Sequence, residues 1–218
     1  MTTVHWEVVT PRIRDVMQVI GSSDLVPRFY LAGGTALALQ LGHRRSVDLD
    51  FFAEVDAVRP PTHLHILNVL ENLRPTVVEQ EWGNLLLIID DLHVGFFSYG
   101  YRLVAPTQRA DGIPLAGLAD IGLMKLDALA SRGSRKDFCD LYFVAQRVSL
   151  RALFDLAPTK YPSIRDFEAM VVRYMANFDR ADQETPLPLF DDVDWETIKT
   201  YFRRQAVLLG RGWLTQDK

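Results

Sequence analysis

The sequence predicts an α+β fold in which a mixed α/β half is followed by a mostly helical half. Three observations predict it. Short apolar runs suited to strands alternate with helix-type periodicity up to Leu73, and from Pro75 to Val104 the pattern is β alone. Beyond Gly112 apolar residues recur at helical spacing. Between these stretches, Pro106 to Pro114 is rich in turn formers and marks a soft boundary. It divides the chain into an α/β core at 1–115 and a helical region at 116–218 that packs on the core or continues the same domain.

Taken in order, Arg12 to Ile20 is helical, with Ile13, Val16, Met17 and Ile20 on one face and Gly21-Ser22-Ser23 to end it. Arg28 to Ala32 is a short buried strand that runs into Gly33-Gly34. Thr35 to Leu41 holds good helix formers and stops near Gly42. Ser46 to Phe52 is a strand and Thr62 to Leu73 an amphipathic helix. Thr76 to Glu79, Asn84 to Ile89 and Leu92 to Tyr101 follow as a β meander, with Asp90-Asp91 at a turn. The helical half comprises Leu118 to Ser131, Arg135 to Arg147, Leu150 to Leu156, Asp166 to Asn177 and Trp195 to Leu209. The acidic, Pro-containing stretch from Asp179 to Asp194 is expected to be a loop.

Composition narrows the class. With 28 acidic against 24 basic residues in 218, the net charge is −4, which excludes a uniformly basic nucleic-acid coat but allows a local basic patch. One cysteine, Cys139, excludes an internal disulfide framework and fits a reducing cytoplasm. The longest strongly apolar run, Leu85 to Ile89, is far short of the ~20 residues that span a bilayer. Met1 to Arg12 has no apolar core of a signal peptide, so a soluble, cytoplasmic protein without membrane partners is expected.

The sharpest chemical signal lies between Leu31 and Phe52. Gly33 and Gly34 stand where a strand hands over to a helix, so the backbone can approach a ligand closely and the helix start presents free N–H groups. Thr35 can cap that helix or reach a phosphate. Asp48 and Asp50 are two apart on a strand, so both carboxylates share one face while Val47, Leu49 and Phe51 share the other. Two adjacent carboxylates call for a cation. Mg2+ takes oxygen ligands and commonly uses one or two carboxylates plus substrate phosphates. A phosphate cradle followed closely by a carboxylate pair suits Mg-nucleotide chemistry.

A second cluster lies on the helices. Lys125 interrupts the stripe Leu118, Ile121, Gly122, Ala128 and Leu129, so it snorkels, pairs with a carboxylate, or faces a cleft. Ser134 and Asp137 have the spacing of a capping box, yet Asp137 and Asp140 share a face with Leu141 and Val144. Inward carboxylates need partners, and Lys125 or Arg132 is the natural one. Lys136 with Asp140 as a plain surface pair is the alternative.

Gly33-Gly34-Thr35, then His43-Arg44-x-Ser46-x-Asp48-x-Asp50, resembles the nucleotidyltransferase motif of the AbiEii/AbiGii-type toxin family, within the polymerase β-like nucleotidyltransferase superfamily. Lys125 followed by Arg132-x-x-x-Lys136-Asp137-x-x-Asp140-Leu141 resembles its second signature. The resemblance implies a minimal nucleotidyltransferase fold with a small mixed sheet and a helical C-terminal half. It implies transfer of NMP from an NTP to the hydroxyl of an RNA, with tRNA a candidate, by the toxin of a toxin–antitoxin pair, hence an antitoxin partner. Asp48 and Asp50 would hold Mg2+, and Gly33, Gly34, Thr35, Arg44 and Ser46 would hold the nucleotide. Lys125 and Arg132 would contact phosphate, with Asp137 and Asp140 organising the catalytic site. Arg44, Arg45, Arg132, Arg135 and Lys136 would form a basic rim.

One departure stands out. Many superfamily members carry a third carboxylate on a later strand, and Gly95 occupies the expected place in His93-Val-Gly-Phe-Phe97. A module that binds nucleotide or RNA without turnover is therefore the alternative, with an unrelated Asp-x-Asp phosphohydrolase or glycosyltransferase a third reading that the Gly-Gly-Thr turn argues against. His93 as a base, Cys139 as a nucleophile and the aromatic run Phe96, Phe97, Tyr99, Tyr101 all take a structural reading first.

Overall fold

The computed structural model describes residues 3–216, and the chain divides after Gly117 into two compact units. In the first, Thr10 accepts a hydrogen bond from the Ile13 N–H at 3.3 Å and Pro11 supplies a preset φ, which starts α1 (Pro11–Gly21). β1 (Tyr30–Ala32) runs straight into α2 (Gly33–Leu41), which ends on Gly42 in the left-handed region. β2 (Asp48–Ala53) follows, then α3 (Pro60–Val69), which two consecutive prolines start. The helix expected to reach Leu73 stops at Val69, and a 3-10 turn, Glu71–Leu73, closes on Arg74 at φ 52° before Pro75. β3 (Thr76–Glu81), β4 (Asn84–Ile89) and β5 (Leu92–Ser98) form the meander. β5 ends before Tyr99 rather than at Tyr101, because Gly100 turns the chain at φ 71°.

β6 (Gln108–Ala110) and β7 (Ile113–Leu115) were not expected. Their hairpin turns on Asp111 and Gly112, both at positive φ, the Asp-Gly chemistry of a two-residue loop. Strands of three residues carry too little alternation to be read from sequence. Among the described residues the seven strands make one mixed sheet in the order β3-β4-β5-β2-β1-β7-β6. The central pairings are β1 antiparallel to β2, β2 parallel to β5, and β1 parallel to β7.

Alternation then sorts the two faces. Leu49, Phe51, Val94, Phe96, Leu85 and Leu87 are buried on one, where Phe51 stacks on Phe96 at 5.1 Å and Phe29 meets Phe96 edge-on at 5.2 Å. The register carries Asp48, Asp50 and Phe52 of β2, His93, Gly95 and Phe97 of β5, and Leu86 and Ile88 of β4 to the other face. The site described below lies on that second face.

The helical unit contains α4 (Leu118–Ser131), α5 (Arg135–Ala145), α6 (Leu150–Lys160), α7 (Phe167–Tyr174), α8 (Asp179–Gln183) and α9 (Trp195–Gln216). α4 packs against α5, α6 and α7, with Ile121, Leu126 and Leu129 buried. Phe138 of α5 gathers the rings of Phe178, Trp195 and Phe202 at 4.9 to 5.9 Å. The helices depart from the sequence expectation in several places, with α5 ending at Ala145 rather than Arg147 and α7 at Tyr174 rather than Asn177. α6 continues through Pro158 in its last turn, α8 forms inside the stretch expected to be a loop, and α9 passes Gly210. Lys160 of α6 donates to Asp120 of α4 at 2.7 Å, and neither side chain is exposed. No helix among the described residues is long and apolar enough to cross a membrane.

Candidate active site

The strand-to-helix turn is built around two close approaches. Gly33 sits at φ +65°, and a Cβ there would lie 2.8 Å from Oδ2 of Asp50. A Cβ on Gly34 would run into the guanidinium of Arg44. The turn is thus glycine because a carboxylate and a cation press against its backbone. Arg44 is buried, and its Nη1 donates to the Arg45 carbonyl at 2.9 Å.

Thr35 and Ser46 turn out differently from the expectation of phosphate ligands. α2 begins at Gly33, two residues before Thr35, so Thr35 is not its cap. Both hydroxyls are buried against each other at 2.8 Å, and Thr35 also donates to the main-chain carbonyl of Asp48. They brace the turn against the start of β2 and present no open hydroxyl to a ligand.

Asp48 and Asp50 are part-exposed neighbours on one face of β2, as the Asp-x-Asp parity requires. They line a cavity of about 360 Å³ with Val78, Leu86, Leu87, His93, Val94 and Gly95. The parallel register sets Asp48 beside His93 and Asp50 beside Gly95. Gly95 is therefore the strand neighbour of the second carboxylate, and a Cβ there would meet the Phe97 ring at 2.5 Å and Leu86 at 3.2 Å. The place of a third acid is filled by an aromatic ring. His93 is exposed, and its position beside Asp48 could not be read from sequence, which does not fix the register between strands so far apart in the chain.

The fit of this face to a metal follows from its donors. Two part-exposed carboxylates offer only oxygen, and among the described residues no group of three or more His, Cys, Asp or Glu side chains is placed to hold an ion. That suits a hard cation such as Mg2+, which keeps water and phosphate oxygens for its other positions, and does not suit a protein cage of zinc type.

In the helical unit, Lys125 is buried with Nζ 3.1 Å from Asp137 and 2.7 Å from Asp140. Arg132 grips both oxygens of Asp137 at 2.8 Å, and Ser134 donates to it at 2.6 Å. Burial disfavours the charge on Asp137, but the Arg132 hydrogen bonds, the Lys125 and Arg132 charges and the Ser134 hydroxyl overcome it and bring the carboxyl down to about 2. Ser134 and Asp137 do form the capping contact, since Ser134 accepts from the Asp137 N–H at 3.4 Å. Both carboxylates are completely buried, so they touch no substrate and hold Lys125 and Arg132 instead. Lys136 is exposed while Asp140 belongs to Lys125, which removes the surface-pair alternative.

Of the five residues expected to form a basic rim, two are buried within their own units. Arg44 and Arg135 are buried, and Arg135 donates to the Ala181 carbonyl at 2.9 Å and lies over the Trp195 ring. Arg45, Arg132 and Lys136 remain exposed. Cys139 is buried, consistent with a packing role.

The family model for the nucleotidyl transferase AbiEii toxin of type IV toxin–antitoxin systems matches residues 15–82, the segment that holds the glycine turn and both aspartates. Over that segment the chain carries the AbiEii nucleotidyl transferase toxin domain. An uncharacterized protein of Aquifex aeolicus is 35% identical over 200 residues, covering 88% of this chain and 93% of the relative. Among solved structures, a Helicobacter pylori protein described as a candidate nucleotidyltransferase matches with a TM-score of 0.57 at 17% identity, over 94% of each chain. The MenT4 nucleotidyltransferase toxin of Mycobacterium tuberculosis matches with a TM-score of 0.53 at 17% identity, over 91% of this chain and 83% of its own. At such identities these likenesses show the fold, and the chain is α+β with the nucleotidyltransferase architecture.

Proposed function

We propose that this protein is a Mg2+-dependent nucleotidyltransferase that moves NMP from an NTP to a hydroxyl of RNA, with tRNA a candidate acceptor. The observation that carries the reading is the contact between Gly33 and Asp50: a turn with open backbone lies directly against a carboxylate of the Asp48–Asp50 pair. The N–H groups at the start of α2 would take the phosphates, with the Arg44 cation beside Gly34. Asp48 and Asp50 would hold Mg2+, which when bound neutralises charge on the transferring phosphoryl group. The acceptor oxygen bonds to the α-phosphorus, the bond to the pyrophosphate oxygen breaks, and the hydroxyl proton leaves to solvent or a nearby base. For the helical unit, the two buried aspartates hold Lys125 and Arg132 in place, and the reading assigns these cations the phosphate contacts implied by the second signature. A toxin role, an antitoxin protein as partner and a cytoplasmic setting complete the proposal.

A second reading rests on the Phe97 ring packed over Gly95. With no acid beside Asp50, the protein would bind nucleotide or RNA without turnover. One experiment separates the two. The protein is incubated with Mg2+ and each α-labelled NTP, with and without total RNA, beside Asp48→Ala. Label transferred to RNA by the wild type and lost in Asp48→Ala supports transfer. NTP binding without labelling supports the second reading, and equal labelling by the variant refutes the metal assignment.

A further inference from the structure

The sheet face that holds the carboxylates continues into a row of part-exposed aromatic rings. Phe52 follows Asp50 by two residues on the same face of β2, and Phe97 is its register partner on β5. Phe97 and Phe52 stand 5.2 Å apart, Phe52 and Tyr99 5.4 Å, and Tyr99 and Tyr101 5.1 Å. Tyr30 of β1 stacks on Phe52 from the other side at 6.2 Å. Burial separates this row from ordinary core packing. Phe51 and Phe96, one residue away on the opposite face, are wholly buried, whereas Phe52, Phe97, Tyr99 and Tyr101 all keep accessible surface.

We infer that Phe52, Phe97, Tyr99 and Tyr101 form a stacking platform for the unpaired end of the acceptor nucleic acid. This deepens the proposed reaction and rests on it for direction. Asp50 pairs with Ala32 at the end of β1 that leads into the glycine turn, and Phe52 pairs with Tyr30 at the opposite end. The carboxylates therefore stand beside the turn on one side and lead to the rings on the other. In-line phosphoryl transfer puts the leaving oxygen and the attacking oxygen on opposite sides of the phosphorus. With the triphosphate on the glycine turn, the attacking hydroxyl arrives from the aromatic side.

The rings also set the class of acceptor. Every nucleobase has a π-face, so a bare aromatic row binds single strands with little sequence preference, and bases paired in a duplex cannot use it. Tyr30 connects the row to a cavity of about 660 Å³, a size that suits one or two nucleotides among pockets of roughly 300–1,000 Å³. The charges lining it balance: Arg28 is bonded to Asp56, and Glu54 offsets Arg109. Stacking rather than phosphate neutralisation is then the main contact, so the salt dependence of binding is shallow.

The test uses fluorescein-labelled single-stranded oligoadenylate and the intact protein, with EDTA and no NTP, read by fluorescence anisotropy. Tyr99→Leu and Tyr101→Leu keep apolar bulk while removing the π-face, and thermal melts confirm that both fold. Each is expected to weaken oligoadenylate binding by about 5- to 100-fold. The same sequence in a duplex is expected to bind far more weakly. Where labelling works, each Tyr variant raises the acceptor KM and leaves the NTP KM within about twofold. Oligoadenylate binding unchanged in both Tyr variants, or absent in the wild type, overturns the inference. So does a rise in the NTP KM alone, which would assign the rings to the nucleotide donor. Binding that follows the rings in a protein that labels no RNA leaves the platform standing and refutes the transfer reaction instead.

Discussion

Asp137→Asn is expected to destabilise the helical unit by an amount that shrinks as pH falls. The substitution removes charge from a completely buried carboxylate that Lys125 and Arg132 contact at 2.8 to 3.1 Å. Leaving part of a buried charge cluster uncompensated costs about 3–5 kcal/mol near pH ~7. The pH dependence has a definite sign. In the fold Asp137 lies at about 2 against an ordinary 3.8, so the folded state favours the ionised carboxyl. That preference is worth about 2 kcal/mol, is complete well above 3.8, and is lost as pH falls from 3.8 through about 2. The wild type loses this stabilisation in acid and Asn does not, so the gap between them narrows by about 2 kcal/mol across the same window. Urea denaturation followed by far-ultraviolet circular dichroism, repeated at intervals between pH ~7 and pH ~2, measures the gap. A gap that stays constant through the window would refute the argument that Arg132 and Lys125 hold this carboxyl ionised.

Three further outcomes are expected. Gly33→Ala forces a side chain into φ +65° and to within 2.8 Å of Asp50 Oδ2, so the affinity for a fluorescent NTP analogue should fall sharply, with about 1–2 kcal/mol lost in thermal unfolding. Lys160→Met leaves Asp120 buried without its cation and should cost about 3–5 kcal/mol, whereas Lys160→Met with Asp120→Leu should recover most of that in urea denaturation. Gly95→Asp drives a carboxylate into the Phe97 ring and should reduce soluble yield, while Gly95→Asp with Phe97→Ala should fold, and its RNA-labelling rate should exceed that of Phe97→Ala. A double variant no faster than Phe97→Ala would exclude a third acid as the missing element.

Much of the architecture was legible because it is local. The periodicity of Ile13, Val16, Met17 and Ile20 placed α1, and the alternation of Asp48 to Phe52 placed β2 with its carboxylates on one face. Ser134 and Asp137 announced the start of α5. The misses have particular causes. β6 and β7 are too short to alternate, although Asp111-Gly112 carried the signal of their turn. α6 ran through Pro158 because a proline so close to the end of a helix interrupts little. The aromatic run Phe96, Phe97, Tyr99, Tyr101 takes a structural reading from sequence, and only one of its two sides proves to be core.

The candidate site divides the same way. Residue chemistry and spacing by themselves determined a glycine turn ahead of two same-facing aspartates, and a lysine helix ahead of two inward ones. Both follow from backbone periodicity within a few residues. Tertiary structure alone decided that Asp50 presses on Gly33, that Gly95 rather than an acid adjoins Asp50, and that Phe97 fills the space. It alone decided that Thr35 and Ser46 face each other, and that Asp137 and Asp140 are sealed around Lys125. Those facts depend on strand register and helix packing between segments distant in the chain, where a shift of one residue would turn every side chain to the other face.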